Sequence, residues 1–188
     1  MDKITTQLTA AATPTAPALV LRPWIQADAI HLVELYQDAA MRRWTSTTID
    51  DRAGAEQWIQ EQRQGWETGE RRAFAVLEPR DGKADHQLVG HVVVKGALPG
   101  SASAEVGYWT AAHARGRGVA PRALEAVSGW AFDAFADTGL RRLELLHQVD
   151  NAASCRVADK TRYAFASTLA AAPPEYPLDG HLHIRTHH

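Results

Sequence analysis

Residues 115–122, Arg-Gly-Arg-Gly-Val-Ala-Pro-Arg, constrain the chain more than any other stretch, because they join a strand-like segment directly to a helix-like one. Before them, Glu105 to Trp109 reads as a strand. After them, Ala120, Leu124, Val127, Ala131 and Ala134 recur at spacings of four, three, four and three, an apolar stripe on one long helix. Gly116 and Gly118 open torsions closed to other residues and remove Cβ bulk, so successive amide N–H groups can surround an anion at the helix N-terminus. Pro121 fits in a first helical turn, whose N–H groups have no partner within the helix. Arg115, Arg117 and Arg122 add positive charge to the helix dipole, a setting suited to a diphosphate. A Walker loop would need Gly-Lys-Ser/Thr at its end, and a dinucleotide fingerprint a third glycine where Pro121 stands, so both are excluded. The plain alternative is a glycine-containing connection with surface arginines.

The rest of the chain reads as a mixture of helices and strands. Residues 1–17, rich in Thr, Ala and Pro, resemble a flexible leader and are set outside the fold, leaving 18–188 as one domain. Leu19 to Arg22 is a short strand candidate, and Ile30, Val33 and Leu35 mark a first helix. Asp50 and Asp51 precede a second helix through Ala55, Trp58, Ile59 and Gln62, ending near Gly65 or Gly69. Segments from Arg72, over Leu88 to Val94 and over Glu105 to Trp109 form a meander, its first turn at Pro79 to Gly82. Leu143 to Leu146 is a further strand, Ala152 to Lys160 a helix and His181 to Arg185 a last strand.

With 20 Lys and Arg against 22 Asp and Glu, the net charge of -2 argues against a general attraction to nucleic acid or anionic membranes. Cys155 stands alone, and no long apolar run or signal pattern occurs, which makes the cytoplasm the expected location. His181 and His183 alternate near His187 and His188, a spacing able to ligate a metal, but without a paired acid or Cys they read as a polar strand and tail; no metal is expected.

Several motifs together resemble the GNAT superfamily of acyl-CoA-dependent N-acetyltransferases, in its RimJ/RimL-like branch. Arg115, Gly118 and Ala120 match the family's Arg/Gln-x-x-Gly-x-Gly/Ala loop, and Glu105 to Trp109 resembles the Glu-Ile-Gly-Tyr-Trp strand. Asn151, Ser154, Val157, Ala158 and Lys160 follow Asn-x-x-Ser-x-x-Val-Ala-Glu-Lys, and Leu21 to Trp24 the leading Leu-Arg-Pro-Trp. The likeness covers residues 19–165, with 103–160 the most specific part.

That resemblance implies an α+β fold: a mostly antiparallel mixed sheet with one splayed parallel strand pair, flanked by helices. It implies acetyl-CoA as cosubstrate and direct acetyl transfer to a primary amine, of a protein N-terminus or a small molecule. The amides of Arg117, Gly118, Val119 and Ala120 would hold the pyrophosphate beside Arg115, Trp109 and Thr110 would bond the pantetheine arm, and Asn151 would close its far side. The tyrosine that many members place seven residues after the Asn is Ala158 here, so Ser154 becomes the candidate acid for the thiolate. Its plainer reading is a helix N-terminal Ser bonded to nearby backbone. Glu105 is the leading base, with a surface or salt-bridged carboxylate as its plain reading, and His147 is the second candidate. Cys155 is assigned to packing. Arg162 replaces a glycine of the family pattern, at an expected cost of about 1 kcal/mol or a different helix ending, and the Pro-rich tail suggests a truncated or rearranged last hairpin. The oligomeric state is left open, a homodimer included. A non-catalytic acyl-CoA binding or sensing module is the alternative function.

Overall fold

The computed structural model describes residues 6–45, 47–80, 85–174 and 176–187. In chain order the elements are β1 (Leu8–Ala10), β2 (Leu19–Pro23), α1 (Ala29–Leu35), α2 (Ala39–Trp44), α3 (Arg52–Thr68), β3 (Arg71–Pro79), β4 (His86–Lys95), β5 (Ser103–Thr110), α4 (Val119–Ala134), β6 (Arg142–Gln148), α5 (Ala152–Lys160), β7 (Ala164–Leu169) and β8 (Gly180–Thr186). The eight strands form one sheet in the order β1-β2-β3-β4-β5-β6-β8-β7. Every pairing is antiparallel except β5 with β6, where α4 makes the crossover. This is the mixed sheet with one parallel pair that the family resemblance implies.

Alternation along the strands divides the core between the two faces. Val92, Val94, Ala104, Val106, Leu143 and Leu145 point toward α4 and α5, where Leu124, Val127 and Phe132 meet them. The other face carries Ala73, Ala75 and Val93 under α1 to α3, with Trp24, Trp58 and Ile59. Each large apolar side chain buried this way contributes about 1.5–3 kcal/mol. The expected α4 stripe holds at Leu124, Val127 and Ala131, but its ends shift to Val119 and Phe132, while Ala134 is exposed. Asp51 caps α3 by accepting from the Gly54 amide at 2.8 Å, and Gly69 ends that helix at φ 79°.

Two expectations change, and a third is decided. Residues 8–10, assigned to a leader outside the fold, add an edge strand to β2, because Leu8 and Ala10 turn one side toward α4. Arg122 of α4 fastens the connection behind them by donating to the Ala11 and Pro17 carbonyls. The last hairpin is complete: β7 pairs with β8 over its length, and β8 with β6 from Arg142↔Thr186 to Gln148↔Gly180. Of the two outcomes expected at Arg162, α5 takes the left-handed ending, with that residue at φ 61°. The Tyr163 amide donates to the Ala158 carbonyl at 2.9 Å and the Arg162 amide to Asp159 at 3.3 Å, the bond pair of a Schellman ending. Asp81 and Gly82 of the expected first turn, residues 1–5 of the leader, and His188 lie outside the described residues.

Candidate active site

The parallel pair makes the opening. β5 and β6 run together from Ser103↔Arg142 to Val106↔Leu145, and there their pairing stops. Beyond it, Gly107 to Thr110 remain bonded to β4 and Leu146 to Gln148 to β8, so the two strands part around a gap. Gly90 lets β4 hold the parted half of β5 closely, since a Cβ there would meet the Trp109 carbonyl oxygen at 2.8 Å. A cavity of about 500 Å³ occupies the gap and the surface leading to it, walled by β5, the 115–121 loop, α2 and α5.

At one end of this cavity lies the N-terminus of α4. Gly118 is its N-cap at φ 75°, and Gly116 stands at φ 76°. Among the described residues, none of the amides from Gly116 to Ala120 donates to another backbone group, and the first such bond into the helix is from Arg122 to the Gly118 carbonyl. Pro121 has no N–H, so the free donors are grouped ahead of it. The expected role of the arginine side chains needs correction. Arg115 is ion-paired with Asp38, Arg117 donates to Glu78 Oε2 at 2.6 Å, and Arg122 is taken by the two carbonyls near β1. What the loop offers an anion is therefore its amides and the helix dipole more than free guanidinium groups. Arg115 holds the Asp38 carboxyl below the usual carboxylate range, and Asp38 also caps α2 by accepting from the Met41 amide. One ion pair thus ties the loop to the opposite cavity wall.

At the other side α5 begins. Asn151 is its N-cap, its Oδ1 accepting from the Ser154 amide at 3.2 Å. The Ser154 hydroxyl is not spent on the backbone; it accepts a bond from the Tyr108 hydroxyl at 3.1 Å. Burial pushes the Tyr108 phenol up to about 12, so it remains a proton donor across the physiological range. Trp109, Thr110, Arg115, Gly118, Val119, Ala120, Asn151 and Ser154 all line the one cavity.

The acetyltransferase (GNAT) domain model matches residues 18–163 of this sequence. The chain belongs to the GNAT acetyltransferase family. No curated protein sequence matches it significantly. RimL, a ribosomal L7/L12 α-N-protein acetyltransferase solved with coenzyme A, has a TM-score of 0.78 at 17% identity, covering 95% of this chain and 97% of its own. Mycobacterium smegmatis RimJ, solved with a CoA-disulfide, gives 0.76 at 20% identity over 96% of this chain and 87% of its own. The microcin C7 self immunity acetyltransferase MccE, solved with acetyl-CoA and AMP, gives 0.75 at 16% identity over 93% and 98%. At such identities the likeness is one of fold.

Two site residues expected in this acetyltransferase lie outside the cavity wall. Arg117 turns its side chain to Glu78, as above. Glu105 sits on the paired side of the gap, opposite Glu144 in register, and is bound to Lys95 of β4, with its side chain 44% exposed. His147 lies on the parted end of β6, and burial, followed by its neighbours His183 and His181, holds its imidazole below the usual value. Cys155, assigned to packing, is half-buried, and its Sγ lies 3.7 Å from His147 Nε2 and 3.5 Å from His181 Nδ1. Trp24 and Trp58 are core residues and Trp66 packs against the core, whereas Trp44 lines the cavity. Sequence reasoning missed Tyr108 as a partner of Ser154, because 46 residues separate them. It also missed Arg156 and Lys160, cavity-lining cations one helical turn apart on α5; that spacing was a signal.

Proposed function

We propose that this GNAT enzyme transfers acetyl from acetyl-CoA directly to a primary amine, and that a protein N-terminal amine is the acceptor class. The observation carrying this reading is the convergence of free loop amides, the unpaired edge of β5 and the Ser154 hydroxyl on one cavity. A pyrophosphate fits the amides of Arg117 to Ala120, where two negative groups meet oriented N–H dipoles. With the phosphates there, a pantetheine arm lies along Trp109 and Thr110 and takes the strand bonds that β6 gives up after Leu145. Arg156 and Lys160 supply positive potential along the cavity.

The thioester then reaches the region of Asn151 and Ser154. Attack by a neutral amine forms the new C–N bond, and collapse breaks the C–S bond with the electron pair going to sulfur. Ser154 protonates the departing thiolate, and Tyr108, already donating to its oxygen, resupplies the proton and is itself reprotonated from water. Glu105 takes the proton lost by the amine through water, from the strand face that also carries Trp109. The N-terminal acceptor class is supported by the fold shared with RimL and RimJ.

The test is thiol release from acetyl-CoA over a panel of N-terminal peptides and small amines. Turnover with peptides of a defined first residue is the expected result. Turnover with small amines alone overturns the acceptor class, and binding of acetyl-CoA without turnover for any acceptor favours a sensing module.

A further inference from the structure

Outside the lining of the cavity, one face of β6 and β8 brings together His147, His181 and His183, with Cys155 of α5 above them; the four ligand atoms all lie within 4.8 Å of one another. Strand register makes this compact. His147 pairs directly with His181, and His183 pairs with Leu145 one step along the same face. Phe165 of β7 packs edge-on against both His181 and His183.

The tautomers are fixed by what each ring touches. A backbone carbonyl can only accept, so His147 Nδ1 carries the hydrogen donated to the Gln148 carbonyl at 2.9 Å, leaving the Nε2 lone pair toward Cys155. His183 Nδ1 likewise donates to the Tyr163 carbonyl at 3.3 Å. Its Nε2 is therefore a bare lone pair, and it has no hydrogen-bond partner although the residue is only 3% exposed. An acceptor left unmet at that depth is costly without a ligand. Metal-bound histidines characteristically donate their second nitrogen to a carbonyl in this way.

We propose that His147, His181, His183 and Cys155 form a zinc site. Three imidazoles and a thiolate are a borderline-soft set that suits zinc and disfavours calcium or magnesium. Zn–N bonds near 2.0 Å and Zn–S near 2.3 Å place tetrahedral ligand atoms about 3.3–3.6 Å apart. The two sulfur–nitrogen distances, 3.7 and 3.5 Å, already stand near that separation. Four protein ligands close the coordination shell, so the ion acts structurally, pinning α5, and with it Asn151 and Ser154, to the terminal strands.

The experiment titrates the full-length, reduced, chelator-stripped chain with cobalt(II), then zinc(II) in competition with a chromophoric chelator. One equivalent should bind, with four-coordinate cobalt bands and a thiolate-to-cobalt charge-transfer band that zinc abolishes. Cys155→Ser should remove the charge-transfer band, and His147→Ala or His181→Ala should weaken zinc binding about 100-fold or more. Zinc should raise the melting temperature of the parent chain and of a His31→Ala control, but not of Cys155→Ser or His181→Ala, whose folding circular dichroism checks without metal. A six-coordinate cobalt spectrum with no thiolate band overturns the site. So does zinc affinity that survives both Cys155→Ser and His181→Ala, which would assign the ion to other histidines.

Discussion

Arg162 is the only residue other than glycine with positive φ among those described, and it remains there because neighbours on both sides hold it. Tyr163 is buried beside Ala158, its hydroxyl 2.7 Å from Ser128 Oγ, while the Arg162 guanidinium reaches Glu125. That ion pair is mostly exposed, and Glu125 keeps Arg185 as a second partner, so losing it costs little. Arg162→Gly should therefore stabilise the fold by about 0.5–1 kcal/mol in urea melts, from relief of left-handed strain. At the reacting end, Ser154→Ala should lower kcat about 100-fold or more. Tyr108→Phe should lower it about tenfold, and steady-state kinetics should find KM for acetyl-CoA unchanged in both. Asn151 and Ser154 were legible as an i, i+3 pair through the family pattern. Tyr108 was legible only as one residue of a strand, since nothing local couples it to a helix that starts after the next crossover.

At the scale of elements, the loop and α2 act through one carboxylate. Asp38 both caps α2 and neutralises Arg115. Asp38→Asn preserves a good cap and frees the arginine, so it should leave stability within about 0.5 kcal/mol and tighten acetyl-CoA binding about threefold at low salt. Asp38→Ala should cost about 1 kcal/mol of stability; denaturant melts with calorimetric titrations in two salt concentrations separate the two effects. Long elements with a clear period, α3, α4 and the β3-β4-β5 meander, were readable from the chain alone. Three short ones were not. α2 has six residues, too few to show a helical period, β1 has three, and β7 is exposed at every position, so no alternation marks it. The gathering of His147, Cys155 and His181 was also hidden, because it depends on the pairing of β6 with β8.

Over the whole molecule, His91 couples folding to pH. Its ring is buried and stacked on Trp109, its Nδ1 accepts from Trp24 Nε1 at 3.1 Å, and burial, followed by the charges of Arg71 and Lys95, pushes its pKa down to about 3. The folded value lies below the unfolded value near 6.5, so the unfolded chain binds the proton first. Stability from this site is full above about pH 6.5 and falls as pH drops toward about 3, by up to ~1.4 kcal/mol per pH unit. Urea melts between pH 7.5 and 5 should show this slope, and His91→Gln should flatten it; an unchanged slope assigns the dependence elsewhere. The proposed activity depends first on the anion seat at the start of α4. Backbone amide NMR of the labelled chain during titration with acetyl-CoA, beside S-acetyl-pantetheine lacking the pyrophosphate, tests it most directly. The amides of Arg117, Gly118, Val119 and Ala120 should move strongly with acetyl-CoA and little with the truncated thioester; saturation by acetyl-CoA with those four resonances unmoved would contradict the account.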